Sequence, residues 1–301
     1  MRPSSFLRIA IPAIALTGCV HRAPDTHADH PVPGPGMTTG PAGAGAAGVG
    51  LSVAASATTV AARLATSPRH AEWVMIPTGP SDSIRAWVVF PQRRDKAPVV
   101  LVVHEIFGLS SWIRGVADQL AADGFIAIAP DLLTGKLPGP PDTTNADAAR
   151  AAIRTLDPAT VQRQLDVIGR YGMALPSAKP HYGIVGFCWG GSTSFAHAAH
   201  QPLLRAAVVY YGGSPEVARL DSVQAPVLGL YGGNDNRVNA TIPRADSVLR
   251  MRGRTFKPHI FEGAGHGFLR QQEGDNGVAN TAASQQAWPL TIAWFRHYLE
   301  K

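Results

Sequence analysis

The stretch Val185-Gly186-Phe187-Cys188-Trp189-Gly190-Gly191 contains one of only two cysteines in the chain. Glycines stand two residues before and two after the thiol. An apolar run precedes it and a helix-compatible stretch follows. A G-x-C-x-G turn at a strand-to-helix junction leaves no room for flanking side chains and holds its central residue out as a nucleophile. Its place at a helix N-terminus predicts that the thiolate, the reactive form, is favoured. An acid and a base then follow in chain order. Asp235, in LGLYGGNDNRV, falls just past an apolar run, and His266, in FEGAGHGF, falls in a glycine-flanked loop past the next one. The imidazole would exchange a proton with the thiol, and the carboxylate would orient the ring and support its charge. Asn234 competes with Asp235 for that role. Asp235 also suits a helix N-cap, and His266 also suits a space-filling loop position.

These residues need a scaffold that brings them together. From about residue 70 the chain alternates strand and helix patterns. Glu72–Ile76 and Arg85–Phe90 read as two early strands around a polar turn. APVVLVV, FIAIAPD, YGIVGF, LRAAVVYY, APVLGLY and KPHIF read as strands. Continuous apolar runs of this kind belong to strands buried on both faces. Helical patterns cover 112–123, 145–156, 159–171, 189–200, 242–252 and 281–299, with Pro158 splitting the second from the third. This alternation predicts an α/β fold with a mostly parallel sheet covered by helices on both faces. Cys188, Asp235 and His266 all fall just past strand C-terminal ends, where such sheets build their sites.

Five segments in order resemble the dienelactone hydrolase family of the α/β-hydrolase superfamily: HEIFGL at 104–109, APDLL at 129–133, GFCWGG at 186–191, GGNDNRV at 232–238 and GAGHGFLR at 263–270. The resemblance runs from about residue 70 to 300. It implies an α/β-hydrolase fold and cleavage of an enol-lactone or related ester without a cofactor or metal. It implies a role for Glu105, which would hold the resting thiol and take its proton when substrate arrives. It also implies an oxyanion hole from the N–H groups of Trp189 and Ile106, and a carboxylate-binding arginine at Arg270. The family's second such arginine has no clear counterpart; Arg150 and Arg154 are nearest. His104 stands where the family often has Gln, as a supporting donor or a packed histidine. Trp189 is bulkier than the aliphatic residue common after the nucleophile.

The chain opens MRPSSFLRIAIPAIALTGC, with Arg2 and Arg8 before a short apolar run that is too short to span a bilayer. Leu16-Thr17-Gly18-Cys19 resembles a bacterial lipobox, which implies cleavage after residue 18, lipid on Cys19 and export of a membrane-anchored protein. The alternative is an ordinary secretory signal with a chance cysteine. A lipidated Cys19 leaves Cys188 as a free thiol in an oxidising compartment. Residues 20–50 are rich in Pro and Gly and have no apolar period, which predicts a disordered tether. Residues 51–67 read as a short helix or more tether. The expected division is therefore a signal peptide over 1–18, a tether over 19–67 and a catalytic domain over 68–301. The 301 residues carry a formal charge of +6. The basic residues are scattered and form no nucleic-acid motif.

The expected activity is hydrolysis of a small, carboxylate-bearing ester or lactone through an acyl-cysteine intermediate. Two alternatives stand beside it: a non-enzymatic ligand- or partner-binding lipoprotein on the same fold, and a peptidase or acyltransferase.

Overall fold

The computed structural model describes residues 53–137 and 145–301. The lipobox-like stretch with Cys19 and most of the expected tether lie outside the described residues. In chain order the elements are α1 (Val60–Ala65), β1 (Ala71–Gly79), β2 (Asp82–Val89), β3 (Ala97–Val103), α2 (Ser111–Ala122), β4 (Ile126–Pro130), α3 (Ala146–Ile153), α4 (Pro158–Ala174), β5 (Ala178–Phe187), α5 (Trp189–Ala198), β6 (Leu204–Tyr210), α6 (Val217–Leu220), β7 (Val227–Gly232), α7 (Asn236–Asn239), α8 (Ile242–Met251), β8 (Phe256–Phe261) and α9 (Gly277–Leu299).

The strands form one eight-stranded sheet in the order β1-β2-β4-β3-β5-β6-β7-β8. The pairs β1–β2 and β2–β4 are antiparallel, and every later pair is parallel. The early strands enclose a polar turn that a hairpin can close, whereas the later ones are joined by helical crossovers, as parallel neighbours require.

Apolar runs become two cores because side chains alternate across a strand. In β3, Val100 and Val102 face a layer built with Trp112 and Val116 of α2 and with Trp288, Ile292 and Phe295 of α9. Val99, Leu101 and Val103 face the opposite layer, with Val161, Leu165 and Ile168 of α4, Phe195 of α5 and Leu249 of α8. All seven β3 residues are buried. This is the α/β-hydrolase arrangement expected from the sequence.

Pro158 opens α4 instead of merely interrupting a helix. The Asp157 carboxylate accepts from the Thr160 N–H at 2.9 Å, and Pro158 takes the first helical position, where a missing N–H costs nothing. The folded body also begins earlier than the expected boundary at residue 68. Ala54 and Val60 are buried, and Val60–Ala65 is helical, so of the two readings for 51–67 the short helix holds. No charged residue other than Arg63 occurs between 53 and 65, which is why composition alone merges this segment with the Pro- and Gly-rich sequence before it.

Candidate active site

Cys188 follows β5 directly and caps α5 with φ +56° and ψ −115°. A non-glycine residue in this region is strained and persists only when its surroundings hold it. Here the neighbours do so. A Cβ on Gly186 would run into the Gly190 carbonyl, and a Cβ on Gly190 would run into the carbonyls of Val103 and His104. The elbow therefore lies backbone-to-backbone on the end of β3. The Cys188 N–H also bonds the Tyr210 carbonyl at 3.1 Å, which ties the turn to β6.

Asp235 and His266 come from the ends of β7 and β8. His266 Nδ1 donates to Asp235 Oδ2 at 2.5 Å. The other oxygen, Oδ1, accepts from the Val238 N–H at 3.4 Å and caps α7. One carboxylate thus both bonds the His266 ring and caps α7. Asn234 is exposed and turns its Nδ2 to the Gly263 carbonyl at 3.0 Å, so it braces the histidine loop rather than the ring.

Glu105 lies two residues past β3 and is buried. Burial raises its pKa to about 7, against a lowering influence from Arg270. The Arg270 Nε sits 3.4 Å from Glu105 Oε2, yet neither atom has a hydrogen-bond partner among the described residues. The carboxylate is charge-compensated but not saturated, so it retains capacity to accept a proton.

The thiol departs from expectation. Its pKa is raised, first by burial and then by the Glu105 charge; the Trp189 N–H aimed at the sulfur and the Arg237 charge work against this. The helix N-terminus does lower the pKa as expected, but desolvation and a neighbouring anion outweigh it. The resting group is the thiol.

The two expected oxyanion donors sit on segments that meet. Ile106 and Trp189 both pack against the small cluster of Leu133, Ala149 and Ile153, and the missing Cβ of Gly190 brings the elbow onto the β3 end that leads to Ile106. His104 is a packed, positioning histidine. Its Nε2 accepts from the Leu132 N–H at 3.2 Å, so its Nδ1 carries the proton donated to the Glu105 carbonyl at 2.8 Å. Its ring stacks on Trp189 with centroids 5.6 Å apart. Burial lowers its pKa, consistent with a neutral ring. The large Trp189 thus has a partner that a smaller residue could not reach.

Arg150 and Arg270, distant in sequence, converge on one ring. Their guanidinium carbons lie 5.0 and 4.8 Å from the Phe107 centroid, within cation–π range. Arg154, the other candidate, is an exposed residue at the end of α3.

Tyr211 was not anticipated. It follows β6 with φ +40°, is fully buried, and its hydroxyl has no hydrogen-bond partner among the described residues. Its ring lies 5.1 Å from that of His266. Burial, followed by the charges of Glu105 and Cys188, pushes its pKa well up, so it remains a neutral donor beside both groups. The available signal was the pair Tyr210-Tyr211 ahead of two glycines at a strand end, the position that Cys188 and Asp235 also occupy.

The sequence profile of the dienelactone hydrolase family matches residues 84–299, most of the chain. The chain belongs to the dienelactone hydrolase family. Within it, an Escherichia coli K12 protein provisionally named a carboxymethylenebutenolidase is 30% identical over 72% of this chain and 83% of its own length. A Bradyrhizobium protein provisionally named a 2-oxo-3-(5-oxofuran-2-ylidene)propanoate lactonase is 30% identical over 78% and 98%. A crystal structure from Klebsiella pneumoniae, provisionally titled a dienelactone hydrolase, superposes with a TM-score of 0.67 at 30% identity, covering 76% of this chain and 99% of that one. A Pyrococcus horikoshii acylaminoacyl peptidase, 16% identical with a TM-score of 0.62, shares the fold. This dienelactone hydrolase family member is an enzyme of the carboxylic ester hydrolase type.

Proposed function

We propose that the protein hydrolyses a small lactone or ester bearing a carboxylate, through Cys188, His266 and Asp235 and an acyl-cysteine intermediate. The observation that carries this reading is the unsaturated pair of buried Glu105 and part-buried Arg270 beside the elbow thiol, whose pKa burial raises. A substrate carboxylate offers Arg270 a better-oriented partner, with Arg150 over the same Phe107 ring. Once Arg270 is drawn away, Glu105 loses the influence that lowers its pKa and becomes the stronger base.

Glu105 then takes the Cys188 proton, and the sulfur bonds to the carbonyl carbon. The oxyanion meets the N–H groups of Trp189 and Ile106. Collapse breaks the carbon–oxygen bond, and the leaving oxygen takes the proton held by Glu105. Water next attacks the thioester and gives a proton to His266, whose charge Asp235 balances. The departing sulfur recovers that proton, and the acid product leaves. The Bradyrhizobium relative's name describes a lactone carrying a propanoate, which is the substrate chemistry this arrangement suits. The same reading includes export as a lipoprotein anchored through Cys19 and facing the periplasm or cell exterior. No nucleic acid and no cofactor take part in it.

The test compares the protein with Cys188→Ala on 4-nitrophenyl acetate and on a dienelactone. The expected result is loss of turnover in the variant and accumulation of an acyl adduct on Cys188 in the parent, seen by intact mass. Turnover that survives in Cys188→Ala overturns the assignment.

A further inference from the structure

Residues 53–66 lie outside the stretch matched by the family profile, yet they lie against the loop that carries His266 and Arg270. The Ala57 N–H donates to the Arg270 carbonyl at 2.9 Å. Gln272 Nε2 donates to the Ala54 carbonyl at 2.9 Å, and buried Ser56 Oγ donates to Glu273 Oε1 at 2.5 Å. The segment is itself fastened to the body. Trp112 Nε1 of α2 donates to the Ala55 carbonyl at 2.9 Å, and Val60 occupies the space that Gly115 leaves by having no Cβ.

The other side of the same loop is held by α9, where Asn280 accepts from the Gly265 N–H at 2.9 Å and donates to the Gln271 carbonyl at 2.6 Å. The loop is thus clamped between the last helix and a strap that precedes the first strand. The strap bonds the backbone of Arg270, whose guanidinium reaches both Glu105 and Phe107.

We infer that residues 53–66 form a positioning strap that sets Arg270 against Glu105 and thereby tunes recognition of an anionic substrate. The inference rests on the hydrolytic reading above for its kinetic readout, but not for its structural one. Fixing a backbone carbonyl restricts where a long side chain can reach, and small misplacements of such groups cost large factors in rate. The strap acts through Arg270 and touches no reacting atom.

The test uses the full chain and the variant Ala57→Pro, which deletes the N–H that Arg270 accepts. Ala61→Ser, on the exposed side of α1, serves as the control. The substrates are 4-nitrophenyl acetate and mono-4-nitrophenyl succinate. Ala57→Pro is expected to raise KM for the anionic ester roughly 10- to 100-fold while leaving KM for the neutral one within about twofold. Equal losses on both esters, or none on either, overturn the inference.

A second measurement does not need turnover: titration of Glu105 by carboxyl-carbon NMR. Its midpoint is expected to move upward in Ala57→Pro, because Arg270 no longer opposes the effect of burial. An unchanged midpoint overturns the strap even if the hydrolytic reading holds. A shifted midpoint in a protein without Cys188-dependent hydrolysis keeps the strap and rejects that reading.

Discussion

Glu105 and Cys188 each sit on the wrong side of their usual charge state for chemistry, and each has a reason. Burial holds the thiol protonated, and burial holds the carboxylate ready to be protonated at neutral pH. The sign follows directly. On the proposed mechanism, Glu105 protonated below about 7 has no capacity for the Cys188 proton, so kcat/KM is expected to fall as pH falls through that region. Glu105→Gln removes this limb of the profile and lowers kcat/KM by about 10²- to 10⁴-fold, measured as a pH–rate series on one ester. The same variant checks the linkage. Glu105 has a folded pKa raised from 4.5 to about 7, so its contribution to stability is intact below 4.5 and lost as pH rises through 7. Glu105→Gln therefore gains up to about 3 kcal/mol relative to the parent at pH 8, less whatever Arg270 forfeits, and gains nothing at pH 4. Asp235→Asn keeps the α7 cap through its side-chain oxygen but cannot accept the His266 proton in the same geometry. We expect an unchanged melting temperature and a loss of about 10³- to 10⁴-fold in kcat; a parallel drop in melting temperature would show the residue to be chiefly a cap.

At the level of elements, the junction of β5 and α5 carries the site because three backbones approach more closely than side chains allow. Gly190→Ala places a methyl group against the carbonyls of Val103 and His104. Backbone cannot yield as a flexible side chain does, so the variant is expected to lose about 3 kcal/mol or more, read as the midpoint of a denaturant titration. A variant that folds normally but is inactive would mean that α5 can slide without unfolding the sheet. His104 works at the same scale. Its two ring nitrogens join the segment after β3 to the segment after β4, and its stacking on Trp189 reaches the elbow itself. A packed histidine here is the means by which three strand ends keep one geometry.

Across the whole folded body, the sheet places the C-terminal ends of its parallel strands, β3 to β8, on one edge and the two cores lock them there. The elements that finish the site come from the extremes of the folded body: the strap at 53–66 and α9 at 277–299 grip the same loop. The lipoprotein reading also belongs to this scale. The full chain is expected to fractionate with membranes, and Cys19→Ser is expected to move it to the soluble fraction with its turnover intact. Retention of Cys19→Ser on membranes would reject lipid on that residue as the anchor.

The parallel sheet, the tight elbow glycines and the candidates Cys188, Asp235 and His266 were legible in the sequence because each depends on local rules: apolar runs, glycine spacing and the order of candidate nucleophile, acid and base along the chain. Asp235 was legible as a candidate for the same reason, though not the fact that one of its oxygens caps α7 while the other bonds His266. Only tertiary structure decided the charge state of Cys188, because a helix N-terminus is visible in sequence whereas desolvation and the approach of Glu105 are not. It also decided the surroundings of Tyr211, His104 and Arg150, each of which has a neighbour far along the chain. The strap was illegible for a related reason. Small residues such as Ala54, Ser56 and Val60 read as linker until a surface made by α2 and the histidine loop exists for them to fill.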